Sequence, residues 1–293
     1  MKKILSAWLL LGASLALQAD ELKMYVDISD EDISLTDSYE PFTDQGTGKM
    51  GYKHANAVLI PAVYGLVGDF AEGLGPVCIN DKWGFVDKAG QMVIPAEFES
   101  VGAFSDGLCP VLKDGRWGYI VETGDLFIAP QFTSALGFAD GMAVVQQNGL
   151  FGFVDNQGRL AIPAKFDEAG PFADGLAPVA VDGGLWGFVD KSGVIVIPAI
   201  YEDAWLFAEG LAPVMTDGKW GYVNRSGKMV IPARFDTADS FKDGVAAVTI
   251  GNKKYYTDHN GMTVPESSVL KDELNPVRRV TDIKIVDVVD DEE

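Results

Sequence analysis

Short alternations of apolar and polar residues run along most of this chain, and one pattern returns at a fixed spacing. In residues 185–199 an aromatic-Gly-aromatic-aliphatic stretch is followed by a polar turn and then by an apolar run. The opening aromatic residue recurs after 34, 34, 35 and 34 residues. The recurring aromatic residue and its glycine are Trp83 and Gly84, Trp117 and Gly118, Phe151 and Gly152, Trp186 and Gly187, and Trp220 and Gly221. A fixed period of this length predicts a tandem array of similar structural units.

The sequence pattern within each unit predicts three short β-strands separated by two tight turns. The first turn carries hairpin dipeptides such as Asp114-Gly115, Asn148-Gly149 and Asp217-Gly218, whose residues tolerate positive φ. The second strand holds the Trp-Gly pair, and a polar turn ending in glycine leads to the third. We expect the third strand to end at the proline of an Ile-Pro-Ala block, because proline has no N–H for the ladder. No stretch of useful length has the period of a helix.

The predicted fold is therefore all-β, with six to seven three-stranded antiparallel units of about 34 residues in tandem. An open, solenoid-like stack is favoured because it tolerates any number of repeats. A closed, propeller-like ring is the alternative, although 34 residues is short for a four-stranded blade. The array covers residues 50–265, and its end units, around Met50 and Lys254, depart from the pattern.

The sequence outside the repeats divides into three further segments. Residues 1–19 combine Lys2 and Lys3 with an apolar run and a small-residue site before Asp20, which predicts a cleaved signal peptide and a periplasmic or secreted protein. Residues 20–49 form an acidic lead-in or cap, and residues 266–293 form an acidic tail. No other apolar stretch is long enough to span a bilayer, so the mature chain is not expected to insert into a membrane.

The charge of the chain narrows the classes of partner. The formal net charge is −20, and an acidic surface repels phosphate backbones and anionic lipids. Nucleic-acid binding is therefore not expected, whereas a basic partner is compatible with this charge. The two cysteines, Cys78 and Cys109, occupy different positions of consecutive repeats, which favours two buried thiols over a disulfide.

These blocks resemble the bacterial WG-repeat family, also called the KWG-repeat family. The resemblance rests on Trp-Gly-(Phe/Tyr)-Val-Asp, on Ile-Pro-Ala and on Phe-(Ala/Ser)-(Asp/Glu)-Gly-Leu, and Lys82 and Lys219 supply the leading lysine. It covers about residues 50–265, while Arg116, Phe151 and Lys254 depart from the consensus. It implies a tandem β-repeat protein, often exported or associated with the envelope, with no catalytic activity and no fixed ligand.

Two kinds of aromatic residue are candidates for binding. The repeated Trp/Phe ladder is interpreted as a packing seam, since Phe151 keeps the apolar bulk and loses the indole N–H. Trp205 stands where other repeats have a small, aliphatic or acidic residue, in a connecting segment where binding residues tend to occur. Trp205, with Tyr201 nearby, is therefore the candidate for contact with a ligand or partner, and packing of Trp205 against Tyr201 or Leu206 is the alternative.

The polar residues give little support for catalysis. One acid per repeat precedes a glycine, and turn or cap chemistry explains this position better than a row of cation sites. His54 and His259 have no partner at metal-ligand spacing, and no nucleophile elbow, phosphate loop or dinucleotide motif is present. No enzyme activity, cofactor or metal is therefore expected.

Three functional hypotheses follow, in order of preference. The first is a non-enzymatic module of the bacterial envelope that binds a protein or peptide along a face built from the repeats. The second is a glycan-binding module that uses Trp205 and any exposed ladder aromatics. The third, remote hypothesis is a glycosidase-like enzyme, which requires two carboxylates facing each other across a cleft.

Overall fold

The computed structural model describes residues 39–54, 57–181 and 183–266. The predicted signal peptide, most of the acidic lead-in and nearly all of the acidic tail lie outside these residues. Within the described ranges the chain forms 27 β-strands joined by turns, and no α-helix occurs there. The prediction of an all-β chain of tandem antiparallel units is confirmed.

The chain divides into two compact units, Met1–Leu160 and Ala161–Glu293. The strands of the first unit are β1 (Glu40–Thr43), β2 (Met50–His54), β3 (Ala57–Tyr64), β4 (Leu66–Val67), β5 (Leu74–Ile79), β6 (Lys82–Asp87), β7 (Met92–Phe98), β8 (Ser100–Val101), β9 (Leu108–Lys113), β10 (Arg116–Val121), β11 (Leu126–Phe132), β12 (Ser134–Ala139), β13 (Met142–Gln147) and β14 (Leu150–Asp155). The remaining strands are β15 (Leu160–Phe166), β16 (Glu168–Ala169), β17 (Leu176–Val181), β18 (Leu185–Asp190), β19 (Ile195–Tyr201), β20 (Asp203–Ala204), β21 (Leu211–Thr216), β22 (Lys219–Asn224), β23 (Met229–Phe235), β24 (Thr237–Ala238), β25 (Val245–Ile250), β26 (Lys253–Asp258) and β27 (Thr263–Pro265).

The strands pair into one antiparallel sheet per repeat. In the first unit they form the sheets β1-β2-β3, β4-β5-β6-β7 and β11-β10-β9-β8, together with β12-β13-β14. In the second unit they form β16-β17-β18-β19, β20-β21-β22-β23 and β24-β25-β26-β27. We number the repeats 1 to 7 in this order, and β15 is the third long strand of repeat 4.

Most repeats contain a fourth strand that the sequence pattern did not show. It is formed by the segment after the third strand, which pairs with the strand that follows the acid-Gly turn. In repeat 3, for example, Ser100 pairs with Leu112 and Val101 pairs with Val111. Two residues are too few for an alternating pattern to be recognised in a sequence. The prediction of three strands therefore holds for the three long strands of each repeat.

The third strand continues through the Ile-Pro-Ala block instead of ending at the proline. In repeat 2, Phe85 pairs with Ile94 and Trp83 pairs with Phe98, so a bulge on β7 places Pro95, Ala96 and Glu97 opposite the single residue Gly84. The expected stop at proline was wrong because β7 is the edge strand of its sheet. On an edge strand, a residue without N–H costs no ladder hydrogen bond when its nitrogen faces outward.

The hairpin dipeptides adopt the conformation that the sequence predicts. Asp114 and Gly115 have φ of 53° and 71°, and the other predicted dipeptides also have positive φ at both residues. The acid-Gly pair of the Phe-x-acid-Gly block forms a second turn of this kind, with φ of 53° at Asp106 and 74° at Gly107. Paired positive φ values match the type I′ turns that suit two-residue hairpins.

The core of each unit is built by contacts between consecutive repeats. The second aromatic residue of the Trp-Gly motif packs edge-on against the Phe of the next acid-Gly block. Phe85 and Phe104 lie 5.0 Å apart at 68°, and Tyr222 and Phe241 lie 4.9 Å apart at 62°, measured between ring centroids and planes. These geometries are the favoured edge-to-face arrangement of aromatic rings. The Phe of each acid-Gly block therefore packs against the Trp-Gly motif of the preceding repeat.

Candidate functional site

The repeated aromatic residue of the Trp-Gly pair lies inside the molecule. Trp117, Trp186 and Trp220 expose 8%, 4% and 7% of their surface, and Trp83 and Phe151 are half-buried. Trp117 belongs to a core cluster that also contains Ala143 and Val145 of the following repeat. Because these side chains pack between repeats, the ladder offers no continuous aromatic strip to a ligand.

The glycine after each ladder residue accommodates the bulge on the neighbouring third strand. A Cβ atom at Gly118 would overlap the carbonyl oxygen of Ile128 and lie 2.8 Å from the nitrogen of Pro130. The corresponding atoms crowd Gly84, Gly187 and Gly221 in the same way. The glycine of the Trp-Gly pair therefore leaves the space that the backbone of the Ile-Pro-Ala block occupies on the neighbouring strand.

The two candidate binding residues near position 205 have different environments. Tyr201 is 6% exposed and pairs with Trp186 in the sheet, which gives it a packing role. Trp205 is half-buried, its backbone N–H donates to the carbonyl of Pro213, and its ring lies 6.4 Å from that of Trp220. Part of the Trp205 ring therefore stays accessible, while the rest packs on the core of the second unit.

Asp203 lies on the same face as Trp205 and has a perturbed pKa. It pairs in register with Met215, which pairs with Trp220, so these side chains share one face of the sheet. Burial raises the pKa of Asp203 to about 6, the N–H of Ala204 at 2.8 Å opposes this shift, and the charge of Glu168 adds to it. A carboxyl group with a raised pKa beside an accessible indole is a candidate binding feature. Sequence reasoning missed Asp203, although an acid two residues before Trp205 was visible.

The acid that precedes each glycine connects consecutive repeats within each unit. The carboxylate of Glu72 accepts a hydrogen bond from the N–H of Gly107 at 3.0 Å, and Asp106 accepts one from Gly141 at 3.2 Å. In the second unit Asp174 bonds Gly210 in the same way, and Glu209 bonds Gly244. A carboxylate that accepts a backbone N–H makes a charge-assisted bond, so these acids are structural caps.

A second set of acids caps the hairpin of its own repeat in repeats 3, 6 and 7. Glu99 accepts the N–H of Gly115, Glu202 accepts that of Gly218, and Asp236 accepts that of Gly251. At the polar turns, hydrogen bonds from the Ser192 hydroxyl and the Val194 N–H hold the pKa of Asp190 below its usual value. Much of the acidity of this chain is therefore built into its turns.

The histidines and carboxylates show no metal centre among the described residues. No group of three His, Cys, Asp or Glu residues is arranged to hold an ion in that part of the chain. His259 stacks on Phe241 with ring centroids 4.3 Å apart, and its Nε2 lies 3.0 Å from a carboxylate oxygen of Glu209. His259 thereby packs the last repeat against the one before it.

A small polar cleft lies on the last repeat. Its volume is about 170 Å³, and it is lined by Thr237, Asp239, Thr249, Lys254 and Glu266, among others. Burial raises the pKa of Asp239, and the ammonium of Lys254 opposes the shift. Since pockets for drug-sized ligands measure roughly 300–1,000 Å³, this cleft fits at most one side chain. Its polar lining suits the capping repeat of an array.

Exposed apolar residues concentrate at the start of the third strands. In each of four repeats the two residues before the buried isoleucine are both large, apolar and exposed, and we call these residues the outer pairs. The outer pairs are Val58 and Leu59, Met92 and Val93, Leu126 and Phe127, and Ile195 and Val196. The third strand is the edge strand of its sheet, so these side chains lie at the margin of the packed core. The sequence showed only an apolar run there, and nothing in its periodicity distinguished exposed from buried positions.

The fold defines this chain as a tandem antiparallel β-repeat protein in which consecutive repeats within each of the two units pack together through their motif residues. The sequence profile described as "WG containing repeat" matches residues 54–83, 83–117, 117–151, 151–184, 186–220 and 220–253. These matches cover more than half of the chain, which therefore belongs to the WG-repeat family. No curated protein matches the chain.

Several solved structures align with this chain at low sequence identity. A eukaryotic initiation factor aligns with a TM-score of 0.52 and 8% identity over 77% of this chain and 72% of that one. Kluyveromyces lactis Hsv2p aligns with a TM-score of 0.43 and 11% identity over 70% and 79% of the two chains. The extracellular domain of a putative one component system from B. thetaiotaomicron aligns with a TM-score of 0.35 and 10% identity over 77% of this chain and 42% of that one. At these identities the likeness concerns the fold alone.

Among the residues that the structure describes, no helix has the length and apolarity needed to cross a bilayer.

Proposed function

We propose that this chain is a non-catalytic interaction module that binds a protein or peptide through the outer pairs. The observation that carries the proposal is the recurrence of two adjacent exposed apolar residues at one position of the repeat. In the first unit they occur on three successive repeats, at Val58 and Leu59, Met92 and Val93, and Leu126 and Phe127. Exposed apolar residues that recur in register form an extended contact surface, as repeat proteins use for partners.

The other recurring residues of the repeat already have structural roles in the fold, which supports this choice. The ladder residues pack between repeats, the glycines fit bulges, and the acids cap turns. The outer pairs serve none of these roles. Their exposure in a chain with a net charge of −20 is therefore best explained by a partner that covers them.

We propose further that the protein is exported and acts in the periplasm or outside the cell. The support is the N-terminal sequence, in which Lys2 and Lys3 precede an apolar run and a small-residue cleavage site at Ala19. An exported acidic chain is expected to meet envelope proteins and peptides more readily than nucleic acid.

Charged substitutions in the outer pairs test the interaction. Val93→Asp and Val196→Asp are expected to abolish capture of partners from an envelope extract, since a carboxylate would have to be desolvated in the contact. Ile79→Asp and Leu185→Asp are matched controls, because they change residues that are 37% and 44% exposed outside the outer pairs. Equal capture by all four variants and by the unchanged protein would contradict the proposal.

Glycan binding through Trp205 is the second candidate, and the neighbouring Asp203 favours it. An aromatic face beside a carboxyl group suits contact with a sugar ring and its hydroxyls. Trp205→Ala is expected to weaken binding to peptidoglycan or polysaccharide if this candidate is right. Unchanged binding, or no binding by the unaltered protein, would exclude it.

A further inference from the structure

The backbone direction on each third strand decides which residue faces outward at the sheet edge. The carbonyl oxygen of Ile94 and the nitrogen of Ala96 both crowd the position that a Cβ on Gly84 of the neighbouring strand would take, so both atoms lie on the side of that strand. The residue between them, Pro95, therefore directs its backbone nitrogen away from the sheet. The carbonyls of Ile60, Ile197 and Ile231 face their strand partners in the same manner.

Proline at this outward position protects the edge from pairing with another strand. It offers no N–H, and proline on an edge strand is a known means of blocking edge-to-edge association. This outward position holds proline in four third strands, at Pro61, Pro95, Pro198 and Pro232. The sequence carries proline at the equivalent position of two more third strands, at Pro163 and Pro265.

Repeat 3 is the exception among the described third strands. Its block reads Ile128-Ala129-Pro130, so the outward position holds Ala129 and carries an N–H. The inward position holds Pro130, whose nitrogen lies against Gly118. The strand β11 thus presents an N–H and a carbonyl at the point where the other repeats present proline.

The side chains of β11 also suit a strand laid beside it. Leu126 is 51% exposed, Phe127 is 38% exposed and Ala129 is exposed. The carbonyl of Ala129 accepts a 3.3 Å hydrogen bond from the Nε2 of Gln131, an exposed contact that an incoming backbone N–H can replace. A partner strand would gain main-chain hydrogen bonds and an apolar contact at the same site.

The charges beside β11 indicate which partner fits. The polar turn before it contains Glu122 and Asp125 and no basic residue. The corresponding turns of repeats 2 and 4 to 7 each contain Lys, Arg or His, at Lys88, Arg159, Lys191, Arg225 and His259. A second copy of this chain would bring another net charge of −20, whereas a basic segment would be attracted.

We propose that β11 is the docking edge for an extended segment of a polypeptide partner that alternates apolar and basic residues. The segment pairs with β11 as an added strand, donates to the carbonyl of Ala129 and accepts from its N–H. This inference rests on the proposed interaction function and specifies one strand and one partner chemistry for it.

The test uses the full chain and a synthetic probe. The probe is an acetylated and amidated octapeptide in which valine alternates with lysine and threonine, and binding is measured by calorimetry in physiological salt. The double variant Ala129→Pro with Pro130→Ala restores the block found in the other repeats, so it is expected to fold. Its affinity for the probe is expected to fall about tenfold or more, since it loses a backbone hydrogen bond and clashes with the added strand.

Three controls define the interaction as strand pairing with a basic segment. Ala129→Ser keeps the N–H and is expected to bind the probe as the unchanged protein does. A probe methylated at every backbone nitrogen, and a probe with glutamate in place of lysine, are both expected not to bind. In amide hydrogen exchange, the N–H of Ala129 is expected to gain protection when the probe is added, which does not depend on any variant folding.

The outcomes separate this inference from the proposed function. Equal binding by the folded double variant, binding of the methylated probe, or no binding of the probe by the unchanged protein overturns docking at β11. The loss of partner capture by Val93→Asp and Val196→Asp is independent of β11 and can stand alone. Self-association that the double variant abolishes would identify a second copy as the occupant and overturn the basic segment.

Discussion

At the scale of single residues, the glycine of each Trp-Gly pair is required by the backbone opposite it. The third strand bulges toward this glycine, and a Cβ at Gly118 would overlap the carbonyl of Ile128. The sequence did not predict the bulge, because the bulge depends on the edge position of the strand that carries the proline.

Gly118→Ala tests this requirement. We expect it to lower the free energy of unfolding by about 3 kcal/mol, because backbone atoms of β11 must move to accept the methyl group. Gly65→Ala is the control, since its Cβ would lie 3.5 Å from the nearest atom, and should cost under about 1 kcal/mol. Urea unfolding measures both, and equal losses would show that close approach is not the cause.

Asp203 gives a second prediction for single residues, through its raised pKa. The folded chain holds this proton with a pKa of about 6 against an ordinary value of 3.8, so the proton stabilises the folded state below about pH 4. This stabilisation is lost as the pH rises through about 6. Asp203→Asn keeps an acceptor for the N–H of Ala204 and carries no charge at any pH. We expect it to be more stable than the unchanged protein by about 1 kcal/mol at pH 7.5, after allowing for solvent screening, and not at pH 4.

Thermal melting across this pH range measures the difference. Glu168→Gln is a useful companion, because it removes the charge that adds to the shift and should show a smaller effect in the same direction. A pH-independent difference between Asp203→Asn and the unchanged protein would refute the assigned pKa.

At the scale of structural elements, the acid-Gly turn is both a hairpin and a link between repeats. Asp106 has positive φ, which aspartate and asparagine tolerate better than alanine, and its carboxylate caps Gly141 of the next repeat. Asp106→Ala is expected to cost about 1–2 kcal/mol, because both the cap and the tolerance of φ are lost. Asp106→Asn keeps an acceptor and the tolerance, and is expected to cost about 0.5 kcal/mol.

Denaturant unfolding compares the two variants at this turn. A difference in their midpoints is expected, whereas equal midpoints would mean that the bond between Asp106 and Gly141 contributes nothing. The same pair can be repeated at Asp174, which caps Gly210 in the second unit.

The long strands and turns could be predicted from the sequence, whereas two details of the elements could not. Dipeptides such as Asp114-Gly115 specify their turn locally through φ, so a sequence pattern identifies them. Two features depend on pairing with a neighbouring strand, which the local sequence does not specify: the short strand Ser100–Val101 and the continuation of β7 through Pro95. The sequence identified the ladder residues as a packing seam and Tyr201 as a candidate for contact with a ligand or partner. It could not give the exposed fraction of these side chains, which decides their role, because that fraction depends on packing.

At the scale of the whole molecule, export is the proposal with the most direct chemical test. Cleavage before Asp20 is expected to give a mature protein that lacks residues 1–19 and therefore loses the positive charges of Lys2 and Lys3. Intact mass measurement of protein from the envelope and culture fractions determines the N-terminus. An uncleaved chain confined to the cytoplasm would contradict export.

We propose that the outer pairs, and not the buried ladder, form the contact surface of this protein. A photo-crosslinking amino acid placed at position 127 or position 150 tests it directly, because Phe127 and Leu150 are 38% and 37% exposed and only Phe127 belongs to an outer pair. Irradiation in envelope extract is expected to yield a discrete adduct from position 127 and none from position 150. Equal adducts from both positions, or an adduct from position 150 alone, would contradict the account.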